Sequence, residues 1–289
     1  MSNVTTHPLR SLLFVPADDD RRISKALASA ADAVILDLED AVALSRKDEA
    51  RRQAAGVVAG AGRPGIYVRI NPATTPFCLA DLQAIVQPGL AGVVLAKALS
   101  AEEVRCVAWT IEQLEQARGL ARGSLDLVPL IETAAGLLGA MAIGQADDRV
   151  RRLAFGAADY TADIGVEWTP AEDELDHPRQ MRVAASRAAG LEPPLDAPVL
   201  EFRDVERMRA AAARARAFGF QGKLCIHPAQ IEPCHQAFAP TAEALARAAR
   251  IVEAFEAAER SGIASIEVDG ALVDYAVAVR ARRVLASAG

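Results

Sequence analysis

Short apolar runs alternate with helical patterns along most of the chain. The runs predict buried strands, and we place these at residues 10–15, 33–38, 66–70, 92–96, 125–131, 152–155, 197–200 and 222–226. A helical pattern follows each run, and Ser100 and Asp204 are predicted to cap two of these helices. Strands that alternate with helices in this way indicate a parallel sheet.

The number of strand–helix units favours a closed sheet. Eight units in 289 residues predict a TIM (β/α)8 barrel rather than an open doubly wound sheet, and no G-x-G-x-x-G pattern follows the first strand. Further helices are predicted at residues 241–260 and 272–286, with a strand-like piece at 264–268 between them. We expect a catalytic barrel at residues 1–238. A C-terminal helical arm at residues 239–289 would cap it or, as we expect, pack on a neighbouring subunit.

The composition excludes several classes of function. Lys plus Arg number 32 against 38 for Asp plus Glu, a net charge of −6, which argues against a nucleic-acid surface. No apolar run is long enough to cross a membrane, and the N-terminus lacks the apolar core of a signal peptide, so we expect a cytoplasmic protein. The four cysteines and four histidines show no zinc-binding spacing, and we expect the cysteines to be reduced thiols.

Acidic residues follow three of the predicted strands. Glu132 follows the fifth strand, Asp159 lies just past the sixth, and Glu39 and Asp40 follow the second. A parallel barrel gathers the carboxyl ends of its strands at one mouth, where barrel enzymes have their active sites. We therefore expect these four carboxylates to lie at the same mouth.

Glu132 and Asp159 are the candidate metal ligands. Two carboxylates from adjacent strands repel each other unless one is protonated or a cation lies between them. No histidine accompanies them, and a site with only oxygen ligands suits Mg²⁺ or Mn²⁺. Glu39 and Asp40 would hold water molecules around the ion. The alternative is that these acids are helix caps and surface ion pairs, but four acids at one mouth favour the metal site.

Two cationic residues are expected at the same mouth. Arg69, at the end of the third strand, could donate paired hydrogen bonds to a carboxylate or an enolate oxygen, or pair with one of the acids, and the two roles are compatible. Lys97 follows the fourth strand and could form a Schiff base, as in some barrel aldolases. A metal makes that chemistry unnecessary, so we prefer an electrostatic, substrate-binding or solvent-facing role for Lys97.

Six segments, in order, resemble a known family. They are Arg-Ser-Leu-Leu-Phe-Val-Pro at 10–16, Asp-Leu-Glu-Asp-Ala-Val at 37–42, Val-Arg-Ile-Asn at 68–71, Ile-Glu-Thr-Ala-Ala-Gly at 131–136, Phe-Gly-Ala-Ala-Asp-Tyr at 155–160 and Gly-Lys-Leu-Cys-Ile-His-Pro-Ala-Gln at 222–230. They are similar to the citrate lyase β-subunit group of the HpcH/HpaI aldolase superfamily, which includes malyl-CoA and citramalyl-CoA lyases. Ala17 and Ala96 depart from the usual Gly and Pro of that group.

The resemblance implies a Mg²⁺-dependent acyl-CoA lyase. Such an enzyme cleaves or forms a C–C bond in a 3-hydroxy-3-carboxyacyl-CoA, such as malyl-, citramalyl- or citryl-CoA, giving acetyl- or propionyl-CoA and a 2-oxo acid. It implies that Glu132 and Asp159 bind the metal, that Arg69 stabilises the thioester enolate, and that Glu39 and Asp40 lie around the metal ligands. Alternative functions are a thioesterase on the same thioesters, a CoA-independent 2-oxo acid aldolase, and a subunit of a citrate lyase complex that binds a carrier protein.

Two further assignments come from the resemblance alone. Arg10 falls in the segment that contacts the substrate or the CoA phosphates. The sequence Gly-Ala-Leu-Val-Asp at 270–274 matches a motif whose Asp reaches a neighbouring subunit's site as an acid/base, which makes Asp274 the candidate. The resemblance therefore implies a homo-oligomer, a trimer or a hexamer.

Overall fold

The apolar strands pair in the order in which they occur in the sequence. The computed structural model describes residues 9–60 and 62–286. Within them the barrel strands are β1 Ser11–Pro16, β2 Ala33–Asp37, β3 Ile66–Ile70, β4 Gly92–Leu95, β5 Asp126–Ile131, β6 Ala154–Phe155, β7 Leu195–Asp196 and β8 Gly222–Cys225. Each strand pairs in parallel with the next, and β8 pairs with β1, so the sheet is a closed barrel. The predicted TIM barrel is confirmed.

Helices follow the strands and surround the barrel. They are α1 Asp20–Leu27, α2 Lys47–Ala59, α3 Cys78–Ile85, α4 Ala101–Ala117, α5 Ala134–Leu138, α6 Ala140–Gly144, α7 Ala157–Ile164, α8 Asp176–Ala188, α9 Val205–Phe218 and α10 Ile231–Phe238. The predicted N-caps are confirmed: the Ser100 hydroxyl accepts a hydrogen bond from the amide of Glu103 at 3.2 Å, and Asp204 accepts one from Arg207 at 2.9 Å. Each cap satisfies an amide at a helix start that has no partner within the helix.

Aliphatic side chains from alternate strand positions fill the inside of the barrel. Leu12, Ile35, Val128 and Leu224 belong to this core and are at most 2% exposed. Burying one such side chain stabilises the fold by about 1.5–3 kcal/mol. This packed core fixes the position at which each strand ends. Charged residues lie at the carboxyl-terminal ends of the strands, at the mouth of the barrel.

One barrel strand was predicted in the wrong place. The apolar run at 197–200 predicted the seventh strand, whereas the structure has β7 at Leu195–Asp196. Asp196 is fully buried because it pairs with Lys223 and, at 3.0 Å, with Arg179. A strand whose charged side chain is neutralised between the barrel and the α8 helix lacks the apolar pattern by which strands are recognised.

The strand-like piece predicted at 264–268 is the first strand of a hairpin, and the sequence did not predict the second strand. Strands β9 Ile266–Val268 and β10 Ala271–Val273 pair antiparallel. The α12 helix, Tyr275–Ala286, starts at Tyr275 and not at the predicted residue 272. Asp269 and Gly270 join the strands with φ of 54° and 75°, the left-handed conformation of a two-residue hairpin turn.

The chain divides into two compact units, Met1–His235 and Gln236–Gly289. The second unit has its own core, in which Phe255 of α11 (Ala242–Arg260) packs edge-to-face against Tyr275, with ring centroids 5.0 Å apart. That this unit is an arm on a neighbouring subunit stays a prediction. In the part of the chain that the structure describes, every helix is too short or too polar to span a bilayer. Residues 1–8, which entered the localisation prediction, lie outside the described residues.

Candidate active site

The carboxyl ends of the barrel strands enclose a cavity of about 310 Å³. All six side chains predicted to lie at this mouth lie there or beside it. Arg69, Glu132 and Asp159 line the cavity, and Lys97 links Asp159 to Glu39 and Asp40. Small residues form much of the remaining wall: Ala41, Gly156, Ala157, Ala158 and Pro198. The cavity therefore combines charged groups with room for a small ligand.

Glu132 is a buried carboxylate without a cationic partner. It directly follows β5 and is 1% exposed. Its Oε1 accepts a hydrogen bond of 2.6 Å from the backbone amide of Lys97, and it forms no salt bridge with any described residue. Burial, together with the charge of Asp159, raises the pKa of Glu132 to about 8. A cation bound beside Glu132 would favour the ionised carboxylate and so oppose this shift.

Gly156 makes room for the Glu132 side chain. A Cβ atom at residue 156 would lie 2.3 Å from Oε2 of Glu132 and 2.7 Å from its Cβ. Both separations are too short for atoms in contact. The glycine at which the sixth apolar run ends is therefore part of the site, since any larger residue would displace the carboxylate.

Asp159 approaches the cavity from the next strand–helix connection. It lies in the first turn of α7, where the amide groups of the helix start favour a negative charge. Its side chain is 35% exposed, and its Oδ1 is 3.5 Å from Nζ of Lys97. The structure thus brings Glu132 and Asp159 to one cavity, one buried and one half-buried.

Arg69 is held in a fixed orientation at the end of β3. Its Nε and Nη2 donate to the two carboxylate oxygens of Asp37 at 2.7 and 2.5 Å, and its Nη1 lies 3.1 Å from Glu39. The guanidinium also stacks on Phe14, 4.9 Å from the ring centroid. Burial alone would lower the pKa of Arg69, but the carboxylates of Asp37 and Glu39 raise it, so the group stays charged.

Lys97 connects the acids on both sides of the mouth. Its ammonium donates to Glu39 and, at 2.9 Å, to Asp40, and lies 3.5 Å from Asp159. Its backbone has φ of 47°, a left-handed conformation that is strained for a residue other than glycine. This conformation belongs to the turn in which the Lys97 amide donates to Glu132. Glu39 and Asp40 are therefore engaged by Lys97.

The mouth has an excess of negative charge. The carboxylate cluster is defined as Asp37, Glu39, Asp40, Glu132 and Asp159. Among the described residues, its carboxylate groups form salt bridges only with Arg69 and Lys97. No group of three or more His, Cys, Asp or Glu within residues 9–60 and 62–286 could hold a metal alone. Two oxygen ligands from the protein, completed by water and a ligand, fit a hard cation such as Mg²⁺.

The structure does not bring Arg10 to this group. Arg10 precedes β1, at the opposite end of the barrel, and its Nη2 is 2.9 Å from Asp32. The substrate contact predicted for Arg10 therefore lies outside this cavity. Asp274 lies in the second unit, where its Oδ1 accepts a hydrogen bond of 3.0 Å from the amide of Val277 at the start of α12.

The sequence assigned no role to two residues that support the site. Asp37 orients Arg69, and Lys47 is buried with its Nζ donating to the carbonyls of Leu38 and Glu39 at 2.6 and 2.7 Å. Asp37 could have been suspected because it ends β2 in an acidic segment. Lys47 gave no such signal, since a lysine in a helix is usually a surface residue.

A second cavity of about 660 Å³ adjoins the first and shares Phe14 and Arg22 with it. Its wall also carries the basic residues Lys25 and Arg203. Phe202 of this wall stacks on His227, with ring centroids 4.9 Å apart. A cavity with basic and aromatic walls suits a ligand that has both phosphates and an aromatic ring.

Comparison with known proteins identifies the family. Residues 10–228 match the sequence model of the family described as HpcH/HpaI aldolase/citrate lyase. This match covers most of the chain, including the whole barrel mouth. The chain belongs to the HpcH/HpaI aldolase/citrate lyase family. The resemblance noted in the sequence is confirmed.

Proteins named as citrate lyase subunits and proteins named as thioesterases are about equally similar to this chain. The citrate lyase subunit beta of Haemophilus influenzae is 36% identical over 96% of this chain and 95% of that protein. The (3S)-malyl-CoA thioesterase of Cereibacter sphaeroides is 34% identical over 98% of this chain and 95% of that protein. The crystal structure of CitE from Mycobacterium tuberculosis in complex with magnesium, acetoacetate and coenzyme A has 35% identity, a TM-score of 0.80, and covers 97% of this chain and 98% of that chain.

Proposed function

We propose that this protein is a Mg²⁺-dependent lyase of 3-hydroxy-3-carboxyacyl-CoA thioesters. It would cleave a substrate such as malyl-, citramalyl- or citryl-CoA into acetyl- or propionyl-CoA and a 2-oxo acid, or catalyse the reverse reaction. The observation that carries the proposal is the pair Glu132 and Asp159 in one cavity with an oriented Arg69. The magnesium and coenzyme A bound to the related CitE support it.

Glu132 and Asp159 would hold the metal ion. Bound there, Mg²⁺ would polarise the hydroxyl and carboxylate oxygens at the acid end of the substrate. The Lys97 amide and the space left by Gly156 fix the Glu132 carboxylate, so this ligand is already positioned. Glu39 and Asp40 hold the Lys97 ammonium beside Asp159, where it would contact the carboxylate end of the substrate.

Arg69 would stabilise the charge that develops on the thioester. A base takes the proton of the substrate hydroxyl, and that oxygen becomes the carbonyl of the 2-oxo acid as the C–C bond breaks. The electron pair of the broken bond moves toward the thioester carbonyl and forms an enolate. A guanidinium has five N–H groups, and only some of those of Arg69 are engaged by Asp37 and Glu39. The others can donate to the enolate oxygen, an interaction stronger in the transition state than in the substrate. Asp274 of a neighbouring copy would then protonate the enolate carbon.

The second cavity would hold the CoA portion. Arg22, Lys25 and Arg203 could pair with its phosphates, and the Phe202–His227 stack offers an aromatic face to its adenine ring. Since this cavity adjoins the first, the thioester end of the same molecule could reach Arg69. CoA thioesters are therefore favoured over free 2-oxo acids and over a carrier-protein thioester.

A thioesterase is the second candidate function. It is favoured by the similarity to the (3S)-malyl-CoA thioesterase of Cereibacter sphaeroides, which is nearly as high as that to the citrate lyase subunit. The same carboxylates and the same substrates would serve both reactions. The products distinguish them, because hydrolysis gives free CoA and a hydroxy acid, whereas cleavage gives a shorter acyl-CoA and a 2-oxo acid.

The test is product analysis with purified protein and Mg²⁺. Malyl-, citramalyl- and citryl-CoA are supplied separately, and acyl-CoA, free thiol and 2-oxo acid are measured. We expect acetyl-CoA and equal amounts of a 2-oxo acid. Free CoA with the intact hydroxy acid would instead establish the thioesterase, and no turnover of any thioester would reject both.

The metal assignment is tested with Glu132→Gln and Asp159→Asn. Each should lower kcat by roughly 10²–10³-fold, as removal of one electrostatic group from an active site does. Glu102→Gln, an exposed acid of α4, is the matched control and should keep full activity. Wild-type turnover in both Glu132→Gln and Asp159→Asn would reject the site.

A further inference from the structure

A buried arginine lies behind the two proposed metal ligands. Arg182 of α8 is fully buried, yet no described carboxylate forms a salt bridge with it. Its Nε has no hydrogen-bond partner among the described residues. Burying an unpaired charge is costly, and an apolar side chain of similar size would avoid that cost. Stability of the fold therefore does not explain this arginine.

The contacts of Arg182 converge on the two segments that carry Glu132 and Asp159. Its Nη2 donates to the carbonyl of Ile131, the residue before Glu132, at 3.2 Å. The same carbonyl accepts a hydrogen bond from the amide of Gly156 at 3.1 Å. Arg182 thus contacts the point at which the end of β5 is joined to the connection that leads to Asp159.

Aromatic rings hold the guanidinium from the side of the second segment. The guanidinium carbon lies 3.5 Å from the ring centroid of Phe155 and 5.2 Å from that of Tyr160, the residue after Asp159. The two rings pack edge-to-face, 5.8 Å apart. Nη1 donates to the carbonyl of Pro178 in α8 at 2.9 Å, which anchors the group to its own helix. Cation–π contacts of this kind partly replace the missing carboxylate.

We infer that Arg182 is a positioning residue, which fixes the ends of β5 and β6 so that Glu132 and Asp159 face one cation. The inference rests on the proposed function, because only the proposed function makes Glu132 and Asp159 metal ligands. Arg182 touches neither carboxylate through any described contact, and it acts through the Ile131 carbonyl and the Phe155 and Tyr160 rings. Groups that orient metal ligands in this way commonly affect metal affinity by about 10–100-fold.

The test replaces Arg182 by Met, which fills similar space without charge or donors. We expect the Kd for Mg²⁺, measured by calorimetry, to rise by about 10–100-fold. We also expect faster amide hydrogen exchange in residues 131–136 and 155–160 of the metal-free protein. Val107→Ala, a core truncation in α4, controls for general loss of stability and should leave both quantities unchanged.

Arg182→Lys keeps the charge but lacks the planar guanidinium that donates to the carbonyls of Ile131 and Pro178. We expect it to change the Kd for Mg²⁺ and the hydrogen exchange in the same direction as Arg182→Met, but less. If Arg182→Met does not fold, Arg182→Lys decides the matter. A wild-type Kd together with wild-type exchange in the folded variant would overturn the inference. If the unmutated protein binds no Mg²⁺, the proposed function fails, and hydrogen exchange alone then decides whether Arg182 positions these segments.

Discussion

Glu132 and Asp159 face the same cavity from different surroundings. Glu132 is almost fully buried and forms no salt bridge with a described residue, whereas Asp159 is partly exposed and lies near the Lys97 ammonium. The metal-free protein therefore resists the ionisation of Glu132, whose pKa is raised by burial and by the charge of Asp159. Ionising the buried carboxylate of Glu132 costs free energy in the folded protein, and this cost can be measured as a dependence of stability on pH.

The stability of the metal-free protein should fall as pH rises, because of Glu132. Its pKa is raised from 4.5 to about 8, so the folded state retains a proton that the unfolded state has lost. Stability contributed by this group is then lost progressively between these values, by about 1.4 kcal/mol for each unit of separation. Glu132→Gln should flatten this part of the profile in urea denaturation between pH 5 and about 9.

Adding Mg²⁺ gives the control for that measurement. A ligand that binds only the folded state stabilises it, so Mg²⁺ should raise the stability of the wild type most above pH 8, where Glu132 is ionised. The ion should have little effect on Glu132→Gln. Parallel pH profiles of the wild type and this variant would contradict the assignment of the shift to Glu132.

Gly156→Ala should disable the site without unfolding the barrel. The added methyl group would lie within 2.3 Å of the Glu132 carboxylate, so the side chain must move away from its position. We expect kcat to fall by at least about tenfold and Mg²⁺ affinity to weaken. Gly56→Ala in α2 is the matched control, since a Cβ there meets nothing within 4 Å and a helix favours Ala over Gly. Equal activity of the two variants would refute the prediction.

The sequence predicted which charged residues lie at the mouth but not how they pair. Each of Arg69, Lys97 and Glu132 ends or follows a strand, and the barrel topology alone places them together. The Arg69–Asp37 pair and the contact of Arg182 with Ile131 join segments far apart in the chain. Such contacts depend on side-chain directions that the periodicity of a single sequence does not contain.

At the scale of the elements, Lys97 in the turn after β4 makes two kinds of contact. Its backbone amide donates a hydrogen bond to Glu132, and its side chain contacts Glu39, Asp40 and Asp159. The left-handed conformation of Lys97 makes both contacts part of the same turn. Substitution by glycine can separate them, because glycine adopts this conformation without strain and keeps the amide.

Lys97→Gly should therefore leave the fold intact and change only the charge of the mouth. The ammonium lies 3.5 Å from Asp159, so it competes with any cation held there. We expect Mg²⁺ to bind about tenfold more tightly to the variant, while the KM for the thioester rises. Lys97→Asn, which also tolerates the left-handed region, should behave alike. Weaker Mg²⁺ binding in both variants would show that the lysine supports the metal site rather than opposing it.

The positions of the strands were predicted accurately where the apolar runs are long. The strands at Ile66–Ile70 and Asp126–Ile131 agree with their predicted positions to within a residue. The prediction of β7 was wrong because this strand has two residues, one of them a buried aspartate. Strand β10 was missed because it has three residues and its Leu272 is exposed. Short strands are fixed by their neighbours and by ion pairs, which a local pattern does not reveal.

At the scale of the whole molecule, the site is proposed to need more than one copy of the chain. The carboxylate cluster belongs to the unit Met1–His235, whereas Asp274 belongs to the unit Gln236–Gly289. The sequence predicted Asp274 only through its resemblance to a family motif. The proposal that it serves a neighbouring copy in a trimer or hexamer therefore needs its own test.

Mixed oligomers provide that test. Asp274→Asn and Glu132→Gln should each be inactive alone, but co-expressed in one oligomer they should regain part of the activity. The reason is that some sites would then combine an intact barrel with an intact Asp274 from the other variant. Light scattering gives the subunit number, and Asp269→Asn, on the hairpin turn, is the control that should keep activity. No recovery in verified mixed oligomers would place the acid within one chain or elsewhere.

The small residues on the wall of the first cavity have a consequence for how such enzymes diversify. Ala41, Ala158 and Pro198 border the space beside the charged groups. Exchanging them alters the volume open to a ligand while the acids and the arginine keep their places. New substrate preferences can therefore arise by a few changes in bulk, and selection experiments that randomise these positions would start from a scaffold whose chemistry is already in place.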